Sequence, residues 1–343
     1  MRAVHQGSNA HALVRESQGG LEPSVWPEPS EHFVLTPRLS ELVERALSYL
    51  RAGCPINLAG PAGTGKTTLA LHLAAQLHQP VTLIHGDDEF GSSDLVGNDH
   101  GYRKSTLVDN FIHSVVKTEE TMRTLWMDNR LTTACRYGHV LIYDEFTRSR
   151  PEANNVLLSV LSEGLLNLPK LTNGGDGYLE VHPDFRAIFT SNPQEYAGVH
   201  TSQDALLDRL ITIYMDHYDR QTEVAITAAN GGVAVEMAEQ IVDLVHHLRR
   251  RDPAGQRPSI RAAIMLAKVL ACRGLACDPA EAAVLDTCLD VLHVGHPCGR
   301  GQGPIVTSDE LRGTLESIWG RPSAKAPQHV VPALAVHGEE VLA

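Results

Sequence analysis

Apolar positions divide the chain into two regimes. Short, continuous apolar runs fall at residues 56–59, 81–84, 140–143, 187–190 and 210–214. Runs of this length suit strands buried on both faces, and they alternate with stretches whose apolar residues recur at helical spacing. Leu39, Leu42, Val43, Ala46 and Leu50 form such a stripe ahead of the first run. Strands alternating with helices predict an α/β fold with a parallel central sheet flanked by helices. After Asp219 the strand pattern stops. Met237, Ile241, Val245 and Leu248 make one helical stripe and residues 262–270 another, which predicts a smaller all-helical lid domain.

The ends of the chain read differently. Residues 1–33 are rich in Gly, Ser, Pro, Glu and Gln without periodicity, and are expected to form a mobile arm. Beyond Gly295 the chain is rich in Gly and Pro but contains one expected helix. A capping-box pair, Thr307 and Glu310, opens it, and Leu311, Leu315, Ile318 and Trp319 stripe it. The expected organisation is therefore an arm (1–33), an α/β domain (34–220), a helical lid (221–295) and a tail with one short helix (296–343).

Charge narrows the function classes. The net charge of -12 argues against a nucleic-acid motor or an anionic membrane surface as partner, since both call for a basic face. No apolar stretch has the length needed to cross a bilayer. The six cysteines stand in a chain whose first residues lack a secretory apolar core, so they are expected to be reduced thiols in a cytoplasmic protein.

The chemistry is concentrated in three places. Gly60-Pro61-Ala62-Gly63-Thr64-Gly65-Lys66-Thr67, followed by Thr68, fits the phosphate-loop pattern between a strand and a helix. Its glycines allow backbone N–H groups to curl around an anion at a helix N-terminus. Lys66 is expected on the β- and γ-phosphates of ATP, with the Thr67 hydroxyl on Mg²⁺. The run at 140–143 ends in Asp144 and Glu145: Asp144 suits the Mg²⁺ shell, and Glu145 suits a general base for the attacking water. Asn192, at the turn after 187–190, can orient that water or touch the γ-phosphate, or it only makes the turn before Pro193. Arg209, before the last strand, is a candidate arginine finger, with Arg148 and Arg150 as rivals, and Arg261 opens a helix from which it could reach nucleotide. Cys272, Cys277, Cys288, His293, His296 and Cys298 lie close in sequence, but their spacing lacks the paired-ligand pattern of structural zinc. Cys272 is expected within an apolar helical stripe.

With these parts in this order, the chain resembles the MoxR branch of the AAA+ ATPases. Within it, residues 86–97 (GDDEFGSSDLVG), 108–115 (VDNFIHSV), 143–158 (YDEFTRSRPEANNVLL) and 191–200 (SNPQEYAGVH) resemble the gas vesicle GvpN family. The likeness covers roughly residues 33–218. It implies an ATP-hydrolysing remodelling factor for gas vesicle assembly, acting as a homo-oligomeric ring, a hexamer, on vesicle shell or accessory proteins. It also implies Arg209 as the finger, Asn192 as the sensor and Arg261 as a second sensor. Two other readings stay open: a MoxR-type activator of a metalloenzyme or other complex, and a scaffold that holds ATP without hydrolysing it.

Two loops follow from the same resemblance. Residues 99–128, with Leu107, Val108, Phe111, Ile112, Val115 and Val116 on one face, are expected to form a helix where MoxR relatives carry an inserted one. Residues 168–181, centred on Gly174-Gly175-Asp176-Gly177, are expected to form a hairpin with its tip in solvent. Replacing Gly174, Gly175, Asp176 and Gly177 by a shorter turn should leave ATP hydrolysis intact and lower vesicle yield in cells; an unchanged yield would remove the hairpin from the assembly reaction.

Overall fold

The computed structural model describes residues 12–13, 26–27, 33–109, 117–168, 177–193, 204–251, 258–292 and 308–320. The chain divides into two compact units, Met1–Ile226 with Ser259–Arg261, and Thr227–Pro258 with Ala262–Ala343.

The first unit is built on alternating elements: α1 (Pro37–Arg51), β1 (Ile56–Ala59), α2 (Lys66–Leu77), β2 (Val81–His85), α3 (Ser92–Val96), β3 (Gly97–Asp109), β4 (Lys117–Asp128), α4 (Arg130–Tyr137), β5 (Val140–Asp144), α5 (Pro151–Asn154), α6 (Val156–Glu163), β6 (Leu165–Asn167), β7 (Tyr178–Glu180), β8 (Arg186–Ser191), α7 (Asp204–Leu207) and β9 (Ile211–Tyr214). Near the start of the chain, Ala12–Leu13 pairs antiparallel with Trp26–Pro27. Five strands form the central sheet in the order β9-β1-β8-β5-β2, every neighbouring pair parallel. These are the five apolar runs of the sequence, and their continuity has a simple cause. Both faces of the sheet are covered, so no strand position can be polar without a partner.

Alternation along β5 splits the core in two. Val140 and Ile142 join Ile56, Leu58, Ile188 and Ile213 against α1 and α2. Leu141 and Tyr143 join Ala187 and Phe189 against α4, α5 and α6. On this second face Tyr143, Phe146 and Phe189 meet ring to ring, with centroids 5.3–6.3 Å apart.

Residues 97–109 and 117–128 correct the expected helix. They form a long antiparallel ribbon, β3 with β4, registered from Gly97 opposite Asp128 to Asp109 opposite Lys117. The flanks that set this outcome are rich in Thr (Thr106, Thr118, Thr121, Thr124), whose branched Cβ favours extended backbone. Most of the expected helical face, Phe111, Ile112, Val115 and Val116, lies outside the described residues. The second expected hairpin forms with its first strand earlier than expected, since β6 ends at Asn167, ahead of the expected start at residue 168, and pairs with β7; Gly174, Gly175 and Asp176 at its tip also lie outside the described residues.

The second unit is helical. Helix α8 (Arg220–Gly231) spans the division, and α9 (Val235–Arg251), α10 (Ile260–Arg273), α11 (Ala282–Leu292) and α12 (Ser308–Trp319) follow. Ile241, Val245, Leu266, Leu270, Val284, Cys288, Leu311 and Leu315 share one core. Trp319 joins that core, and its indole N–H donates to the Gln240 carbonyl at 2.9 Å. The helix from the Gly/Pro-rich end thus packs with α9 and α11; Thr307, its expected cap, lies outside the described residues. Cys272 corrects another expectation, for it is exposed. The buried face of α10 is Ala263, Leu266, Ala267 and Leu270, and two residues further at about 100° each turn the side chain away from it.

Phe189 has no exposed surface and fills the three-ring cluster. Phe189→Ala should lower stability by about 3–5 kcal/mol, read as a reduced urea midpoint; a loss under about 1 kcal/mol would mean the cluster relaxes around the deletion.

Candidate active site

Ligands in open parallel sheets bind beyond the carboxyl ends of the strands. Here β1, β5 and β8 bring their carboxyl ends together; β1 runs into the glycine loop, and β5 and β8 end in Asp144 and in Thr190 and Ser191. Beyond β1 the loop from Gly60 to Thr67 turns into α2. Gly63 and Gly65 have φ of 76° and 80°, in the left-handed region that other residues rarely enter. A Cβ on Gly63 would also fall 2.3 Å from Ser259 Oγ. The loop therefore needs glycine there for conformation and for space. It closes on itself through the Thr64 hydroxyl, which donates to the Pro61 carbonyl at 3.0 Å. Lys66 is buried, and its ammonium donates to the Gly60 and Pro61 carbonyls at 2.8 and 2.7 Å. Curled amides, a helix N-terminus and a cation folded against the same loop fit a polyphosphate. Ala62 and Thr68 are exposed beside it.

Parity along the strands decides which side chains reach the loop. Asp144 has the parity of Val140 and Ile142, so it faces α2. There it accepts a hydrogen bond from the Thr67 hydroxyl, with distances of 2.8 and 3.0 Å to its two oxygens. Thr190 shares the parity of Ile188 and donates its hydroxyl to Asp144 Oδ1. His85, opposite Asp144 in the sheet register, places Nδ1 3.6 Å from Asp144 Oδ2. The carboxylate and the Thr67 hydroxyl are hard oxygen donors converging beside the phosphate loop, and they fit a small divalent cation such as Mg²⁺.

Glu145 follows at once, in left-handed backbone with φ of 53°. Its N–H donates to Thr190 Oγ1 at 2.8 Å, so one threonine ties Asp144 and Glu145 to β8 together. Glu145 Oε2 accepts from Arg148 Nη1 at 2.8 Å, a half-exposed ion pair on the 146–148 turn. The Asp87 carboxylate accepts the Glu89 N–H at 3.0 Å, and that bond leads the causes that hold its pKa below the ordinary carboxylate value. Asn192 is buried directly beyond β8.

The three candidate arginines differ in setting. Arg148 is committed to Glu145 of its own chain. Arg150 is exposed at the start of α5, where Pro151 occupies the first helical position. Arg209 is exposed after α7 and donates to Ser162 Oγ and to the Ala205 carbonyl. It lines a cavity of about 510 Å³ with Glu152, Asn155, Ser159, Ser162 and Glu163. Arg261 is exposed at the second position of α10.

The family relations follow the same lines. Residues 55–210 match the AAA domain of the dynein-related subfamily. The gas vesicle ATPase GvpN of Ancylobacter aquaticus is 50% identical over 83% of this chain and 80% of its own length. The chain belongs to the GvpN family of gas vesicle ATPases. The GvpN of Haloferax mediterranei is 46% identical over 88% of this chain and 84% of its own. A more distant relative, the denitrification regulatory protein NirQ of Pseudomonas aeruginosa, is 28% identical over 74% of this chain and 94% of its own. As a GvpN-family member the chain is a MoxR-type AAA+ ATPase with a parallel five-stranded sheet. Among the described residues no helix is long and apolar enough to cross a membrane. His293, His296 and Cys298 of the cysteine and histidine cluster lie outside the described residues.

Sequence reasoning did not single out Thr190, His85, Ser149 or Asn154. Thr190 carried one usable signal, its place opposite Asp144 once the strands are paired in parallel register. The others depend on how loops fold over the sheet. Thr190→Val keeps the shape and removes the hydroxyl shared by Asp144 and Glu145. It should cost about 1–3 kcal/mol of stability and reduce Mg²⁺-dependent ATP hydrolysis; wild-type values for both would show that the shared hydroxyl has no role.

Proposed function

We propose that this GvpN-family chain hydrolyses Mg²⁺-ATP at the carboxyl edge of its central sheet and uses the cycle to remodel proteins during gas vesicle assembly. The observation that carries the site reading is the Thr67 hydroxyl meeting the Asp144 carboxylate beside the glycine loop. In this reading Gly60, Pro61, Ala62, Gly63, Thr64, Gly65, Lys66, Thr67 and Thr68 surround the phosphates. Lys66 swings from its two carbonyls onto the β- and γ-phosphates. Thr67 and Asp144 hold Mg²⁺, which when bound neutralises charge on those phosphates. Glu145 takes a proton from the attacking water as general base, after leaving Arg148, and Asn192 orients that water. Arg209 reaches a neighbouring copy's nucleotide and neutralises charge on the transferring phosphoryl group, while Arg261 senses nucleotide in its own chain. Its anchoring at the end of α7, away from Glu145, favours Arg209 over Arg148 for action between subunits.

The same reading gives the chain a homo-oligomer, because a finger supplied by a neighbour needs a head-to-tail interface, and the resemblance to AAA+ ATPases implies that this interface closes into a hexameric ring. Its partners in this reading are vesicle shell or accessory proteins, and the naming of its GvpN relatives as gas vesicle ATPases supports a client of that kind. Its place of action is the cytoplasm, at the growing vesicle. Nucleic acid is not among its partners, in line with the net charge of -12.

Steady-state ATP hydrolysis across a protein-concentration series tests the proposal. Activity should rise more than linearly with concentration as interfaces form. Glu145→Gln should still bind ATP and lose about a hundredfold or more in turnover, and Arg209→Ala should lose a comparable amount. Wild-type turnover equal to that of Glu145→Gln at every concentration, with and without vesicle shell protein, would favour a nucleotide-dependent scaffold instead.

A further inference from the structure

Beneath the turn that carries Glu145 lies a buried polar chain separate from the Thr67, Asp144 and Thr190 contacts. Tyr143 and Ser149 are fully enclosed and Asn154 is 3% exposed. The Tyr143 hydroxyl lies 2.8 Å from Ser149 Oγ and 3.1 Å from Asn154 Oδ1. Ser149 Oγ also accepts the Asp87 N–H at 3.0 Å, and Asn154 Nδ2 donates to the Phe146 carbonyl at 3.2 Å. The chain of bonds starts at the loop after β2, runs under the 145–149 turn and ends on the backbone of that turn.

Its surroundings are apolar. Tyr143 packs against Phe146 and Phe189, and burial pushes its pKa up to about 12, so the hydroxyl keeps its proton. A polar group enclosed there is costly unless hydrogen-bonded, so each of the three side chains depends on the bonds the others make. What the bonds achieve is local. Glu145 holds a left-handed backbone, uncommon for a residue with a side chain, and such a conformation persists only where neighbours over-determine it. Thr190 fixes the turn from the β8 side through the Glu145 N–H. The buried chain fixes it from below, through the carbonyl of Phe146, the next residue.

We propose that Tyr143, Ser149 and Asn154 form a positioning clamp that sets the Glu145 carboxylate for hydrolysis and joins the turn to the loop after β2 at Asp87. The clamp rests on the reading of Glu145 as the general base. Strand parity delivers it: even positions of β5 bring Asp144 to the phosphate loop, and odd ones bring Tyr143 to the clamp. The hydroxyl of Tyr143 is what hydrolysis requires, and its ring is what the core requires.

Full-length Tyr143→Phe and Ser149→Ala, beside wild type and Glu145→Gln, are compared in kcat and KM for ATP, in binding of a fluorescent ATP analogue and in thermal midpoint. The clamp predicts a kcat reduced about tenfold or more with KM and analogue affinity within about twofold, because a misplaced catalytic group costs turnover and leaves ground-state binding alone. Wild-type kcat in both variants, or loss of analogue affinity in step with kcat, overturns it. Should Tyr143→Phe fail to fold, Ser149→Ala, the smaller deletion, decides the matter alone. Glu145→Gln separates the two readings. Full turnover in that variant removes Glu145 as the base and the clamp with it; an inactive Glu145→Gln beside fully active Tyr143→Phe and Ser149→Ala removes only the clamp.

Discussion

The Asp144 carboxylate is the constraint on which the rest of the site depends. It is about nine-tenths enclosed, and a charge so placed must be met by donors. The donors come from far apart in the chain: Thr67 from the first turn of α2 and Thr190 from β8. For all to arrive, β5 must lie between β2 and β8, and each strand must hold its register. A slip of one residue in β8 would send Thr190 to the opposite face and leave both Asp144 and the Glu145 N–H without it. The geometry of the site is therefore a statement about strand pairing, made by a single acid.

Strand parity then divides the labour. One face of β5 gives Val140, Ile142 and Asp144 to the side of α2, where the phosphate loop lies. The other gives Leu141 and Tyr143 to α5 and α6. The same five residues thereby support the glycine loop on one side and the turn that carries Glu145 on the other. Glu145 lies just past the last strand residue, in left-handed backbone; Thr190 holds its N–H, and Asn154 holds the carbonyl of Phe146, the next residue.

Most of the architecture was legible in the sequence for the reason that it is buried. A strand enclosed on two faces has no room for polar residues, so β1, β2, β5, β8 and β9 all announce themselves as unbroken apolar runs. The phosphate loop was legible because its glycines answer a local demand of backbone. The ribbon at 97–128 was misread because its apolar residues were counted at helical spacing, whereas the threonines flanking them carry the extended preference. Thr190, Ser149 and Asn154 escaped notice for another reason. A hydroxyl or amide means nothing until the pairing of strands places it beside a carboxylate or a turn. Cys272 was placed on the wrong side of α10 because a stripe read as a range of residues ignores the rotation of its last turn.

The strand order carries a consequence for synthesis. β1 is made early, yet its partners in the sheet are β8, where Ile56 meets Ile188, and β9, where Ile56 meets Ile211. Both edges of β1 stand open until residue 191 has left the ribosome, and one stays open until residue 214 has followed, so Ile56 and Leu58 have no complete set of neighbours before then. A nascent chain of this kind carries the whole phosphate loop long before it can hold it in shape. It is then exposed to association with other unfinished chains, as non-local parallel pairing makes general. Cells making this protein in quantity should accordingly depend on factors that shield nascent chains, through the interval between the fifty-ninth residue and the two-hundred-and-fourteenth.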